Sequence, residues 1–372
     1  MSVKWDDYYF PNEMMEQADA IENCMKVLGG TLEKTGLLMK DIDRVYIVGS
    51  GDCYFISFAA AYAFRKYAGI DASGYEAYDF CLMDPPADGK TAVLLFSSSG
   101  KSVYVIRALE LASKKGAFTV GFTNHGESPL GQKSSAVIET VATGISKSFP
   151  TKTSTSGLAL MYALAAETGI AKCRNEEECR KLLDELGHAL PEAIRRIYKE
   201  DRPLIRESAP MFYESRCYEF AGSGPARTAA MIGAAKMIET SQQHPMSSNA
   251  EEFLHLIGFS IKSPDSVIVI GNNISDHREK QVVEETLEHR ARAFVIGNVD
   301  VPDSPYTVKA AGHLKSLSPC CAVIGSMVVL HIFAAEQSRL AWKDPDAPHD
   351  VDLRKAIDRL YTGAVDGWNT EE

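Results

Sequence analysis

The chain has 372 residues, with 39 Lys and Arg against 50 Asp and Glu for a formal net charge of −11, and 45% of it is hydrophobic. That balance belongs to an ordinary soluble globular protein, and the length is a prior for two domains of roughly 150 residues each. The negative charge argues against nucleic acid or an anionic membrane as the main partner, because either selects a clustered basic surface.

The first twenty residues carry several acids and no apolar h-region, so no secretory signal is read, and a helix is expected near Asn12 to Leu28. Next, the β-type run Val45-Tyr46-Ile47-Val48 leads into Gly49-Ser50-Gly51 and an Ala-rich helical stretch, Phe55 to Lys66. A buried strand at Ala92 to Phe96 is followed by Ser97-Ser98-Ser99-Gly100-Lys101-Ser102, a helix at Val103 to Lys114, and a strand at Ala117 to Gly121. Between Asn175 and Arg206 the sequence is charged, yet Leu182, Leu183, Leu186 and Leu190 recur at helical spacing, which predicts a bridging helical hairpin. The pattern then restarts. Tyr218 to Ala221 leads into Gly222-Ser223-Gly224, a helical stretch at Pro225 to Thr240, and strands at Val267 to Ile270 and Ala293 to Gly297. The longest nearly apolar run, Cys320 to Ala335, contains His331 and is too short to span a bilayer. A tail rich in Asp and Pro begins at Asp344.

The two Gly-Ser-Gly turns lie 173 residues apart and the third strands 176 apart, three anchors in register that predict a duplicated unit. Continuous apolar strands alternating with helices imply parallel sheets covered on both faces. The expected fold is α/β, with two tandem flavodoxin-like three-layer sandwiches. The expected boundaries are a helical segment at 1–34, a first domain at 35–170, a helical linker at 171–204, a second domain at 205–340 and a tail at 341–372. The eight cysteines show no C-x-x-C pair and no regular spacing, which reads as reduced thiols in a cytoplasmic protein without a zinc framework.

Ligands of open parallel sheets bind outside the carboxyl ends of the strands. The loop Ser97 to Ser102 falls there, with four hydroxyls before a helix start whose free N–H groups and partial positive charge suit a phosphate. Two better-known phosphate motifs fail. A P-loop ending at Gly100-Lys101-Ser102 needs Gly where Leu95 stands, and a dinucleotide fingerprint needs a third Gly where Tyr54 and Arg227 stand. Neither an ATPase nor a nicotinamide enzyme is supported, and no cofactor is expected. In the second unit Lys236 and Glu239 share a helical face, and His255 follows Glu239 by sixteen residues. Glu252 and His255 have the spacing of half a di-iron site, but no second copy exists, so no metal is expected.

On these residues the sequence resembles the sugar isomerase (SIS) domain family of phosphosugar-binding proteins. It is most similar to the tandem branch holding the isomerase half of glucosamine-6-phosphate synthase and the bacterial fructosamine-6-phosphate deglycases. The resemblance places Ser97, Ser98, Ser99 and Ser102 on the sugar phosphate, and Ser50 and Cys53 at the sugar site. It sets Lys152, in Thr151-Lys152-Thr153, beside the sugar. Glu239 aligns with the catalytic base, near Lys236, and His255 with the ring-opening His; Glu252 matches the Glu of the family's Gly-Glu-x-x-His-Gly-Pro segment. In the family that His reaches the active site of a neighbouring subunit, which implies a homodimer or higher homo-oligomer with a shared site. The family's Gly-Pro after the His is replaced by Leu256-Ile257, and Lys355 is an imperfect match to the synthase's reactive tail Lys. No glutaminase-type segment precedes the first unit and Met1-Ser2 lacks an N-terminal Cys, so a glutamine-dependent synthase is not expected.

The resemblance implies an enzyme that cleaves a fructosamine- or glucosamine-type sugar 6-phosphate to a sugar 6-phosphate and a free amine. Alternatives are an aldose–ketose phosphosugar isomerase or amino-sugar-phosphate deaminase, and a phosphosugar-binding regulator without turnover. The expected partner is the phosphorylated sugar itself, with neither nucleic acid nor membrane.

Overall fold

The computed structural model describes residues 5–140 and 149–347. It contains two five-stranded, all-parallel sheets. The first comprises β1 (Arg44–Gly49), β2 (Asp71–Glu76), β3 (Thr91–Phe96), β4 (Phe118–Thr123) and β5 (Ala136–Glu139), in the order β2-β1-β3-β4-β5. The second comprises β6 (Tyr218–Gly222), β7 (Met246–Ser248), β8 (Ser266–Ile270), β9 (Arg292–Ile296) and β10 (Thr307–Ala310), in the order β10-β9-β8-β6-β7. Read from the other edge the second order is the first one repeated, so the duplication seen in the sequence is a duplication of topology. Central strands are buried on both faces, β3 and β8 at every residue, which is why they read as unbroken apolar runs.

The Gly-Ser-Gly turns recur for a steric reason. A side chain on Gly49 would meet the backbone of Cys53 at 2.6 Å, and one on Gly222 would meet the backbone of Ala226 at 2.8 Å. Each strand therefore turns tightly onto the helix that follows it. Gly51 and Gly224, with φ of 57° and 56°, complete the turn in the left-handed region.

The helices that follow these turns, Asp52–Ala63 and Ala226–Lys236, run antiparallel against each other and join the two units. Thr228 ties them, its Oγ1 donating to the Phe55 carbonyl (2.9 Å) and accepting from the Ala59 N–H (3.2 Å). The N-terminal end of the first helix consequently faces the C-terminal end of the second.

Three expectations change. The segment expected as a helical hairpin is one continuous helical run, from Glu176–Asp184 through to Arg202–Tyr213. Its π turns, Glu185–Ala189 and Ile197–Asp201, lie just before Pro191 and Pro203, where the α ladder loses a donor and the wider turn accommodates the loss. The N-terminal helix, Gln17–Leu38, runs ten residues past Leu28 and crosses the boundary expected at residue 34. The apolar run judged too short for a bilayer belongs to the 22-residue helix Pro319–Leu340, long and apolar enough to cross one, but buried inside the protein as a core helix. His331 within it is fully buried, and its Nδ1 lies 3.0 Å from Gln17 Oε1. Burial holds its pKa well below the ordinary histidine value, with the Lys236 charge adding to the effect.

Candidate active site

In a sheet ordered 2-1-3-4-5 the crevice opens where the order reverses, between β1 and β3. The Gly-Ser-Gly turn leaves β1 there and the serine loop leaves β3. Between them lies a cleft of about 260 Å³. Ser97, Ser98, Ser99 and Ser102 line it, with Ser50 and Cys53 from the first turn and Glu239 from the second unit. Sequence reasoning had drawn these seven from three separate stretches of the chain.

The serine loop is shaped by Gly100. Its φ is 64°, and a side chain there would collide with Ser128. Ser97 Oγ and Ser102 Oγ lie 2.9 Å apart, and the Lys101 N–H donates to Ser99 Oγ at 3.3 Å. Ser102 directly precedes the helix Val103–Lys114 without capping it, so its hydroxyl is not tied to that helix's first turn. Ser50 Oγ donates to Glu76 Oε1 at 2.7 Å.

Glu239 stands on the π turn Met237–Ser241, which ends the Ala226–Lys236 helix. Its Oε2 lies 2.6 Å from Lys236 Nζ. Lys236 is 0% exposed and does not line the cleft; it sits behind it, 2.8 Å from Asp52 Oδ2. Burial alone would lower the ammonium's pKa, but the Asp52 and Glu239 carboxylates outweigh it and hold the pKa above the ordinary lysine value. Lys236 is therefore a fixed cation that orients two carboxylates. The Cys53 thiol is pushed up to about 12, first by burial and then by the Asp52 charge, so it presents a neutral S–H to the cleft.

Two polar lining residues, Asp52 and Ser154, escaped sequence reasoning. Asp52 opens the Asp52–Ala63 helix and is 8% exposed; Ser154 donates to its Oδ2 at 2.7 Å. An acid directly after a Gly-Ser-Gly turn is what a helix N-terminus favours, a signal that reads as dipole compensation and so concealed the ion pair. Ser154 belongs to the helix Lys152–Ala171, two residues beyond the Lys152 that the resemblance had singled out.

Other candidates lie elsewhere. Lys152 is buried and pairs with Glu16 at 2.6 Å, outside the cleft lining. Glu252 is exposed on the short helix Ala250–His255. His255 ends that helix with a 72% exposed side chain, its Nε2 2.9 Å from Glu251 Oε1, and does not line the cleft of its own chain. Lys355 falls outside the described residues. Among the described residues no group of three or more His, Cys, Asp or Glu could hold a metal ion, and the eight cysteines are free thiols.

Residues 38–167 match the family model described as SIS domain. Over 360 residues the chain is 25% identical to glutamine–fructose-6-phosphate aminotransferase (isomerizing) of Fusobacterium nucleatum, covering 92% of this chain and 58% of that relative. The chain thus spans less than two thirds of the relative's length. Among solved structures, the C-terminal domain of glucosamine-fructose-6-phosphate aminotransferase from Francisella tularensis superposes with a TM-score of 0.83 at 19% identity, over 93% of this chain and 100% of that one. Glucosamine-6-phosphate deaminase from Thermotoga maritima does so at 0.69 and 20% identity, over 92% and 97%. At these identities the likeness is one of fold. The chain thus resembles the SIS domain family over residues 38–167 and repeats the same strand order in its second unit.

Proposed function

We propose that the chain is a phosphosugar-processing enzyme that releases an amine from a fructosamine- or glucosamine-type sugar 6-phosphate. The observation that carries the reading is one cleft lined both by the serine loop and by the Glu239 carboxylate, which come from different units of the chain. The names of the similar proteins, an isomerizing aminotransferase and an amino-sugar-phosphate deaminase, support the same substrate class.

The chemistry needs neither metal nor redox cofactor. A ketose carrying an amine at C1 has an acidic C–H beside its C2 carbonyl. Glu239 takes that C1 proton, leaving a 1,2-enaminol, and returns a proton to C2, which turns C1–N into an imine. Water adds to the imine and the amine departs, so one water is consumed for each aldose 6-phosphate and amine formed. The serine loop grips the phosphate before and after the proton moves. Part of that binding energy goes into setting C1 and C2 against the carboxylate. Lys236 fixes the direction of Glu239 from behind without touching substrate. His255 would serve the ring oxygen in the cleft of a second copy; its exposure, beside the exposed apolar side chains of Leu256 and Phe259, supports that assignment.

The test is a panel of Amadori 6-phosphates and hexosamine 6-phosphates, followed for released amine and for deuterium taken up from solvent at carbon. Amine release with deuterium uptake is the expected result. Deuterium uptake with aldose–ketose interconversion and no amine reassigns the chain to an isomerase. Binding with no exchange at any carbon leaves a sugar-phosphate sensor.

A further inference from the structure

We infer that Glu76 sets the direction of the Ser50 hydroxyl, so that Ser50 accepts a hydrogen bond in the cleft and selects a sugar hydroxyl that donates one. The inference rests on the reading of the cleft as a phosphosugar site and deepens it. Ser50 becomes a specificity residue, and Glu76 a positioning residue behind it.

Strand register brings the two together. β1 and β2 pair in parallel with Gly49 opposite Glu76, so the turn that leaves β1 lies beside the end of β2. Ser50 Oγ donates to Glu76 Oε1 at 2.7 Å. The other oxygen, Oε2, accepts the backbone N–H groups of Tyr78 and Asp79, at 2.6 and 3.1 Å, and so caps the helix Ala77–Met83. At such a cap the helix N–H groups and dipole favour the ionised carboxylate, which has no proton to give. The one hydrogen of the Ser50 hydroxyl is therefore the one in this bond. Ser50 lines the cleft, and what it presents there is a lone pair. An ionised phosphate oxygen has no hydrogen to offer that lone pair; a sugar hydroxyl does.

The repeat supplies the comparison. In the second unit β7 takes the place of β2, and Ser223 that of Ser50. The cap of the following helix, Ala250–His255, is there Asn249, whose Oδ1 accepts the Glu252 N–H at 2.9 Å. Ser223 Oγ accepts the Ala250 N–H at 3.1 Å, which leaves its hydrogen for another partner. A neutral cap is thus enough to start a helix at this place. The carboxylate of Glu76 has a second effect, which is to draw the serine hydrogen away from the cleft.

Glu76→Gln reverses the bond without removing the cap. The Tyr78 and Asp79 N–H groups need an acceptor, so the amide oxygen takes the place of Oε2 and the NH₂ group falls opposite Ser50. The amide then donates to Ser50 Oγ, and the serine hydrogen turns into the cleft.

Calorimetry on the full chain with glucitol 6-phosphate tests this, since the alditol has no carbonyl and cannot be turned over. Each of its hydroxyls is replaced in turn by fluorine, which accepts weakly and donates nothing. In the wild type at least one replacement should weaken binding about tenfold or more, because it leaves the Ser50 lone pair unmatched. That same replacement should cost no more than about threefold in Ser50→Ala, where the lone pair is gone, and in Glu76→Gln, where Ser50 donates. If the glutamine chain does not fold, Glu76→Asn, the cap used in the second unit, is measured in its place. A merely structural Glu76 would lower the affinity of every analogue alike and leave the fluorine cost standing. Fluorine tolerated at every position in the wild type overturns the inference, as does a cost that survives Ser50→Ala or Glu76→Gln. No binding of glucitol 6-phosphate overturns the phosphosugar reading itself.

Discussion

Ser102 and Asp276 occupy the same place in the two copies of the repeated unit. Each ends the loop leaving the middle strand, β3 or β8, and directly precedes the next helix, Val103–Lys114 or His277–Glu288. In the first copy the hydroxyl meets another hydroxyl, Ser97 Oγ, at 2.9 Å; in the second, Asp276 Oδ1 accepts the N–H of Asn272 at 2.8 Å. The second mouth therefore carries its own anion on a donor that a phosphate would need, and repels a further one. On the proposed reading, one duplicated fold yields one phosphate site.

Ser97→Ala combined with Ser99→Ala should weaken glucitol 6-phosphate binding about thirtyfold, from about 1 kcal/mol for each hydrogen bond lost. Asp276→Ala should leave that affinity unchanged within about twofold, since its mouth is already closed to phosphate. Calorimetric titration of both variants decides the matter. Unchanged affinity in the double serine variant moves the phosphate away from this loop.

Lys236 predicts a stability effect. Lys236→Met removes a cation paired with both Asp52 and Glu239, and breaking a buried pair by deleting one member costs about 3–5 kcal/mol. Combining it with Asp52→Asn should cost about 1–3 kcal/mol less than the sum of the two single losses, because each alone leaves an uncompensated charge. Urea unfolding of the four chains measures the coupling, and strict additivity would separate the two residues energetically.

Glu219 predicts a pH dependence outside the cleft. It is fully buried in β6; Ser248 Oγ donates to its Oε1 at 2.5 Å, and its Oε2 has no hydrogen-bond partner among the described residues. Burial pushes its pKa up to about 7, against a partly offsetting Ser248 bond. A carboxyl that binds its proton more tightly when folded contributes stability that is complete below its unfolded value and is lost as the pH rises through the folded one. Stability should thus fall between about pH 4.5 and pH 7, with a slope approaching about 1.4 kcal/mol per pH unit from this group. Glu219→Gln should flatten the dependence in thermal unfolding from pH 5 to pH 8. An unaltered slope would assign it to other groups.

The central strands were legible because burial on both faces leaves an apolar run that hydropathy alone reveals, as at Ala92 to Phe96 and Val267 to Ile270. Edge strands were not: Met246–Ser248 is three residues long and mostly exposed, so neither alternation nor a run marks it. The long helix from Glu176 was read correctly in pattern but bent wrongly, since Pro191 and Pro203 are stop signals in sequence and tolerated π-turn neighbours in space. At the site, the serine loop was legible from chemistry at a predicted crevice, and Glu239 from the family resemblance. The Asp52–Lys236 pair was not, because it joins residues 184 apart through two antiparallel helices whose packing no local pattern encodes.

The exposed His255 sets the last expectation, which concerns the assembly. Glu239→Gln should lower carbon-bound proton exchange by about 10²–10⁴-fold, the usual contribution of a positioned base, while phosphosugar binding stays near normal. His255→Ala should lower it by impairing ring opening, and its activity should recover in part on a substrate supplied in open-chain form. If each cleft takes Glu239 from one copy and His255 from another in a two-fold dimer, co-expressing the two variants gives mixed dimers with one intact site and one doubly deficient site. Random pairing makes half of the dimers mixed, so activity should return to about a quarter of wild type. Two chains that each use their own His255 would show no recovery at any ratio. The short helix Ala250–His255 would then have to swing its side chain toward its own cleft, breaking the Nε2 contact to Glu251 at 2.9 Å.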